Sequence, residues 1–285
     1  MEIETLVNIG IEIRDVIRAL LRDNADYAEM LVQRPKDITR KMDMAAEHAL
    51  DAALAKRGLS ARIISEELGD RIVGEHPEFM LVFDPIDGST NAACGIPFFC
   101  TSLAYTEKTD IAAFGDITMA VICDITNNTY CAERGKGALL NGKRITGRKR
   151  GARPKPVVSV YSYGVPQVPA GLIELEKSIV VRALGSIALD MCYVADGTLD
   201  GVIDTRGLVS GYDIMASALI LKEAGGILTD LQGKLISYDV KATGMSIIGT
   251  KNRELHDRIV KTLAGFDIAN CNDVIVHGQY FLSKG

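Results

Sequence analysis

The sequence predicts an α/β protein with an α+β N-terminal half, and three patterns carry that prediction. Apolar residues recur at helical spacing between Ile3 and Leu54. Short apolar runs rich in β-branched and aromatic residues then follow one another from Ala61 to Arg134, separated by Gly, Asn and Asp. Past Pro156 the two kinds of segment alternate, the mark of a layered α/β arrangement. Residues 147–156, with two glycines, two prolines and five basic residues, read as the linker. Residues 1–150 and 151–285 are therefore expected to form two lobes.

In order along the chain, Ile3, Leu6, Val7, Ile13, Ile17, Leu20 and Leu21 share one face of a 3.6-residue period and predict a helix from residue 2 to about 33. Arg34-Pro35-Lys36-Asp37 interrupts it. Lys41–Lys56 is a second helix, closed by Arg57-Gly58. Ala61-Arg62-Ile63-Ile64 is a short strand leading into Ser65-Glu66-Glu67. Phe79-Met80-Leu81-Val82-Phe83 reads as a strand buried on both faces, ended by Asp84-Pro85. Strands are expected at 99–107, 117–124 and 128–134, with a hairpin turn at Asn141-Gly142. In the second lobe, strands are expected at Val157–Val160, Ile179–Leu184, Gly201–Asp204, Ile227–Leu231 and Met245–Gly249. Helices are expected at Ser186–Val194, Ile214–Ala224 and 251–264. The tail from Asn270 to Gly285 contains a strand-like Val274-Ile275-Val276.

Composition narrows the function. The chain is 47% hydrophobic and 24% charged, as in an ordinary globular protein rather than a disordered one. A net charge of −5 is the wrong sign for a nucleic-acid binder, and the basic cluster around Arg148-Lys149-Arg150 reads as a solvated turn. No apolar run approaches the about 18 residues that span a bilayer, and the acidic start Met1-Glu2-Ile3-Glu4 lacks a signal peptide's basic region. A cytoplasmic protein with no nucleic-acid or membrane partner is expected. The cysteines form no C-x-x-C pair and the histidines no ligand-spaced pair, so catalysis is left to carboxylates, hydroxyls and a hard metal.

Carboxylates recur where elements end: Glu66-Glu67 after a strand, Asp84 and Asp87 after another, Asp213 at a helix start. Neighbouring carboxylates repel and resist desolvation, and a cation between them relieves both costs. Oxygen-only ligands select Mg²⁺ or Mn²⁺. Each residue also has a plainer reading. Asp-Pro and Asp-Gly are common turn formers, and Asp213 is well placed as a helix cap. Ser89 lies two residues beyond Asp87, within reach of a metal-held water. Gly185-Ser186 opens a helix whose first amides are available to an anion.

Together these residues resemble the inositol monophosphatase-like superfamily of metal-dependent phosphatases. Its signature stands here as Asp84-Pro85-Ile86-Asp87-Gly88-Ser89-Thr90-Asn91. Ile64-Ser65-Glu66-Glu67 matches its acidic pair, and Lys36-Asp37-Ile38-Thr39 with Asp43 resembles its mobile catalytic loop. Leu184-Gly185-Ser186-Ile187-Ala188 and Tyr212-Asp213-Ile214-Met215-Ala216 match two later motifs. Val181-Arg182, Tyr161-Ser162-Tyr163-Gly164 and Asp204-Thr205-Arg206-Gly207 resemble the archaeal-type branch acting on fructose 1,6-bisphosphate and inositol monophosphate.

The resemblance implies a layered αβαβα sugar-phosphatase fold and two or three Mg²⁺ ions per site, with Mn²⁺ as a substitute. It places Glu66, Asp84 and the Ile86 carbonyl on one ion and Asp84, Asp87 and Asp213 on a second, with Asp43 supporting a third through water. Glu66 and Ser89 would hold the attacking water. Asp87, Gly88, Ser89, Gly185, Ser186, Ile187, Arg182 and Arg206 would contact a phosphorylated sugar or polyol. Both arginines have a surface ion pair as their plainer reading. A homodimer is implied as well. A nucleotide phosphatase acting on 3′-phosphoadenosine 5′-phosphate, or a non-catalytic sugar-phosphate sensor, would share the core motifs. Ser89 departs from the Thr of many members, and the tail is longer than the family's.

Overall fold

A computed structural model of the chain describes residues 1–23, 26–34, 37–147, 153–166 and 168–265, with backbone alone at 33, 34, 37 and 38. The expected linker lies partly, and the tail strand wholly, outside them. Helix α1 (Ile3–Asp23) buries Leu6, Ile9, Ile13 and Ile17 along one face. It stops about ten residues before the expected end. Met30, Leu31 and Val32 belong instead to a strand, β1 (Met30–Arg34), paired antiparallel with β2 (Asp37–Arg40). These three apolar residues are 48–58% exposed, so they mark no core face and their spacing misled. Helix α2 (Lys41–Lys56) runs as expected and ends where Gly58 takes φ +63°.

The first lobe continues with β3 (Ala61–Ser65), β4 (Gly69–Val73), β5 (Phe79–Asp87) and a short helix, α3 (Ser89–Ala93). Then come β6 (Cys100–Thr106), β7 (Met119–Asp124), β8 (Thr129–Glu133), β9 (Gly137–Leu140) and β10 (Lys143–Arg144). Asn141 and Gly142 both have positive φ, as a two-residue hairpin requires. In the order β10-β9-β8-β7-β6-β5-β3-β4 these strands form one eight-stranded sheet, antiparallel except between β3 and β5. The second lobe comprises β11 (Val157–Tyr161), α4 (Ala170–Glu176), β12 (Val180–Arg182), α5 (Ile187–Ala195), β13 (Gly201–Val209), α6 (Gly211–Glu223), β14 (Ile227–Thr229), β15 (Met245–Thr250) and α7 (Arg253–Ala264). Its five-stranded sheet runs β12-β11-β13-β15-β14.

Strand β5 shows how the layers are made. Its Phe79, Leu81 and Phe83 join α1 and α2 in one core, while Met80 and Val82 face the other way into a core shared with α5 and α6. That is the period-two split of a strand buried on both faces. On the second sheet, Val158, Val160 and Ile203 pack with Leu172 of α4 and Ile259 of α7. The layers are thus α1/α2, sheet, α5/α6, sheet, α4/α7, the expected αβαβα stack. No helix among the described residues is long and apolar enough to cross a membrane.

β5 does not end at Asp84, as the sequence suggested. Asp84 pairs with Ser102 and Asp87 with Cys100, so three steps along β5 match two along β6. This is a β-bulge, and Pro85 sits inside it, where a missing donor is tolerated. The Pro85 carbonyl accepts the Thr101 hydroxyl at 3.0 Å.

Helix α6 is seated by close backbone contact at its start. Gly211 N–H donates to Ala242 O at 2.8 Å, and a Cβ on Gly211 would stand 2.1 Å from Val240 O. Gly211→Ala is expected to lower stability by about 1–3 kcal/mol through overpacking, read from the urea midpoint. An unchanged midpoint would show that the 240–242 strap yields freely.

Candidate active site

The bulge decides where two carboxylates point. Residues three apart on a regular strand face opposite ways, but Ser102 and Cys100 are two apart on β6, so their partners Asp84 and Asp87 share a face. Asp84 is 1% exposed and forms the floor. Glu66 from the turn after β3, Asp87 and Asp213 from the first turn of α6 stand half-buried around it. Burial, reinforced by the charges of Glu66, Asp87 and Asp213, lifts the Asp84 carboxyl well above the carboxylate range. The Glu66 and Asp84 carboxyls meet in a hydrogen bond, which requires a shared proton when no cation is present.

The other two acids are shifted in the same direction. Burial pushes Asp213 up to about 8, with the Asp87 and Asp204 charges adding to it and the Ser210 amide and Arg206 opposing. Burial raises Asp87 to about 6 against the hydrogen bonds it receives. Asp213 Oδ2 accepts the Ser210 amide at 2.7 Å, closing a capping box at the start of α6. The cap reading and a ligand role therefore fall on one residue, whose other oxygen remains for the cleft.

A cation fits this arrangement. The Asp84 Oδ1 atom is buried and has no hydrogen-bond partner among the described residues, an expensive condition for a carboxylate oxygen. Among the described residues, no three His, Cys, Asp or Glu side chains form a ready-made cage. The four carboxylates are held in electrostatic reach of one another, with one oxygen left over and no nitrogen or sulfur ligand among them. Such a donor set belongs to a hard divalent ion.

The lobes meet at Asp87. Its Oδ2 accepts the Ser186 hydroxyl at 2.5 Å and the Ala188 amide at 2.7 Å, and its Oδ1 accepts the Ile187 amide at 3.3 Å. The amides expected to stay open for an anion at the start of α5 are thus occupied by a carboxylate of the protein itself. Gly185 N–H is likewise engaged, donating to the Tyr161 hydroxyl at 3.1 Å. Gly185, Ser186 and Ile187 support Asp87 and the Tyr161 side chain, which corrects the reason given for them from sequence. Gly88 has φ +98°, and a Cβ there would stand 3.1 Å from both Gly185 O and Phe98 O, so glycine permits this approach. Asn91 adds a tie across the same seam, its Nδ2 donating to Phe98 O and Leu184 O at 2.7 Å.

Arg206 and Arg182 part company. Arg206 lies over the rings of Tyr161 and Tyr163, 4.8 and 5.0 Å from their centroids. Its Nη2 bonds Asp204 Oδ2 at 2.7 Å and its Nε bonds both oxygens at 3.1–3.2 Å. The ion pair anticipated as the plainer reading is present, yet it is half-buried, and its charge reaches Asp213. Arg182 sits exposed on the edge strand β12 and bonds the Val181 carbonyl at 2.7 Å. Asp43 is buried and accepts the Arg40 amide at 2.7 Å at the start of α2. Glu67 accepts the Thr39 hydroxyl, which joins the expected catalytic loop to the acidic pair.

Sequence reasoning gave no role to Asp190, Ser159 or Tyr212. Asp190 is fully buried and accepts the Ser159 and Tyr161 hydroxyls at 2.5 and 2.6 Å. Burial raises it to about 7 against those bonds. An aspartate on an otherwise apolar helix was the available signal. Tyr212, pushed up to about 12 by burial, lies close enough to feel Asp213, Glu66 and Asp84.

The profile of the Inositol monophosphatase family matches residues 2–265. A fructose-1,6-bisphosphatase/inositol-1-monophosphatase of Thermococcus kodakarensis is 36% identical over 80% of this chain and 83% of its own. A bifunctional NADP phosphatase/NAD kinase of Methanococcus maripaludis is 30% identical over 90% of this chain but 48% of its own. Among solved structures, a Pyrococcus horikoshii protein described as having similarities to inositol-1 monophosphatase superposes with a TM-score of 0.74 at 30% identity, covering 92% of this chain and 99% of that one.

Proposed function

The chain belongs to the inositol monophosphatase family, and from that premise we propose that it is a metal-dependent phosphomonoesterase acting on fructose 1,6-bisphosphate, inositol monophosphate or both. The observation that carries the reading is the buried, unpartnered Asp84 oxygen beneath three further carboxylates. Glu66, Asp84 and the Ile86 carbonyl are assigned to one ion, and Asp84, Asp87 and Asp213 to a second. We take the ion as Mg²⁺, with Mn²⁺ as a substitute, and leave Asp43 to support a third through water. Paired divalent ions at such a site supply a water of lowered pKa and neutralise charge on the attacking and departing oxygens.

The chain's own groups do the rest. Glu66 receives the proton of the attacking water and Ser89 orients that water through its hydroxyl. The first amides of α3, which have no intrahelical acceptor, and the turn at Gly88 and Ser89 cradle the phosphate. Residues 1–150 form the lobe that supplies most ligands, and 151–285 the lobe that completes the site with Asp213 and Arg206. The working form is taken as a cytoplasmic homodimer, on the resemblance of the sequence motifs.

Phosphate release should be measured with fructose 1,6-bisphosphate, inositol 1-phosphate, 3′-phosphoadenosine 5′-phosphate and NADP, with Mg²⁺ and with excess chelator. Turnover of the sugar or inositol ester, lost on chelation, is the expected result. The similarity to a relative that includes an NADP phosphatase supports a nucleotide reading as the second choice. Preference for either nucleotide would establish it, and inactivity on all four would favour a sensor.

Arg206 is expected to set substrate choice. Its stacked, doubly bonded guanidinium is fixed before substrate arrives, so little ordering is lost on binding. Arg206→Ala should lower kcat/KM for fructose 1,6-bisphosphate by roughly ten- to a hundred-fold, the loss of one charge-assisted hydrogen bond. The loss for inositol monophosphate should be smaller. Equal losses on both would make Arg206 a support for Tyr161 and Tyr163.

A further inference from the structure

We propose that a cavity behind α6, separate from the carboxylate cluster, binds a small organic anion with an apolar body. The cavity holds about 350 Å³, within the range of small-ligand pockets. Met215 and Leu219 of α6 and Leu228 of β14 line it, together with Leu235 and Phe114. Phe114, Gly115 and Arg134 come from the first lobe and the rest of the lining from the second, so the cavity lies on the seam between them, a common place for ligands.

The charge pattern selects the ligand. Arg134, Lys222 and Arg253 line the cavity, all three are exposed, and among the described residues no Asp or Glu lines it with them, in a chain whose net charge is −5. The carboxylates nearest in sequence are engaged elsewhere. Glu223 accepts the Gly135 and Gly137 amides at 2.9 Å, and Asp116 pairs with Lys108 at 2.9 Å. Asp257 comes only to 4.0 Å from Arg253, and both are solvent-exposed. Arg134 donates to the Gly115 and Ile117 carbonyls, which fixes its guanidinium without neutralising it. An apolar body covers the Leu and Phe surface, and one carboxylate or sulfonate-like head meets three cations at the mouth. A free inorganic anion leaves the apolar walls wet, and a neutral hydrocarbon leaves the cations unanswered.

The test is isothermal titration of the full chain, with chelator present so that no ion remains at the carboxylate cluster. The probes are octanoate and octane-1-sulfonate, with acetate and 1-octanol as the head-only and body-only controls. Wild type is expected to bind both amphiphilic anions at least tenfold more tightly than either control. Lys222→Glu, a surface change, and Ala218→Phe, which fills the cavity, should each weaken binding at least tenfold while leaving phosphate release unchanged. Absence of binding to wild type, affinity for octanol equal to that for octanoate, or affinities unchanged in both variants would each overturn the proposal.

Discussion

Asp213→Asn is expected to reduce phosphate release at saturating Mg²⁺ by at least about a hundred-fold, more than loss of a residue that merely supports a ligand. The substitution is nearly isosteric. An asparagine oxygen can still accept the Ser210 amide that Asp213 Oδ2 now accepts at 2.7 Å, so the cap of α6 survives. What disappears is one negative charge from a cluster of four. Without metal that charge is a burden, because burial and the neighbouring Asp87 and Asp204 charges disfavour it. The metal-free variant should therefore melt no lower than metal-free wild type, and the gain in melting temperature on adding Mg²⁺ should shrink. Circular dichroism and a thermal melt with and without Mg²⁺ separate this from misfolding. Near wild-type turnover in the folded variant would remove Asp213 from the ligand set.

The metal-free protein should lose stability as pH rises from about 4 to about 8. Asp87 and Asp213 have folded-state pKa values near 6 and 8, above the ordinary carboxylate value, and Asp84 moves the same way. In that window the folded chain holds protons that the unfolded chain has released. Stability is then fully present below the unfolded pKa and is lost as pH passes the folded values. Each pH unit of displacement is worth about 1.4 kcal/mol, so the loss across this window is large against the marginal stability of a folded domain. Added Mg²⁺ should restore stability most at the alkaline end, where the carboxylates are ionised, so the metal-induced gain in melting temperature should grow from pH 5 to pH 8. Asp213→Asn should flatten the metal-free profile between pH 6 and 8. A metal-free wild type whose stability rises across this range would contradict the arrangement of buried acids.

Much of the architecture was legible because it follows from local rules. The period-two pattern of Phe79–Phe83 foretold burial on both faces, and Asn141-Gly142 foretold its hairpin. The ligand candidates could be read because Asp84, Asp87 and Asp213 sit where regular elements begin or change course. Features set by distant partners were hidden. Nothing local distinguishes the apolar Met30-Leu31-Val32 on an exposed hairpin from a continuation of α1. The amides of Ile187 and Ala188 looked open because Asp87, a hundred residues away, was not yet in view. Arg206 read as a substrate contact with a surface ion pair as the plainer alternative, and its tyrosine stack was hidden because it depends on β11 lying beside β13. Asp190 stood in the open as a polar residue on an apolar helix, but its partners on β11 gave it meaning only in three dimensions.

The bulge at Pro85 makes chain length, as well as residue identity, a chemical variable in this enzyme. Asp84 and Asp87 share a face only because the bulge absorbs the odd residue between them; in regular pairing, two acids three residues apart would lie on opposite faces and one would meet the α1/α2 core. Removing one residue between them would restore regular pairing with β6 and leave the acids two apart, still on one face, but it would take one backbone carbonyl out of the segment that separates them. Substitutions at Ile86 change only shape, whereas a deletion changes what the backbone itself can offer the site. The segment can therefore drift in composition more freely than in count.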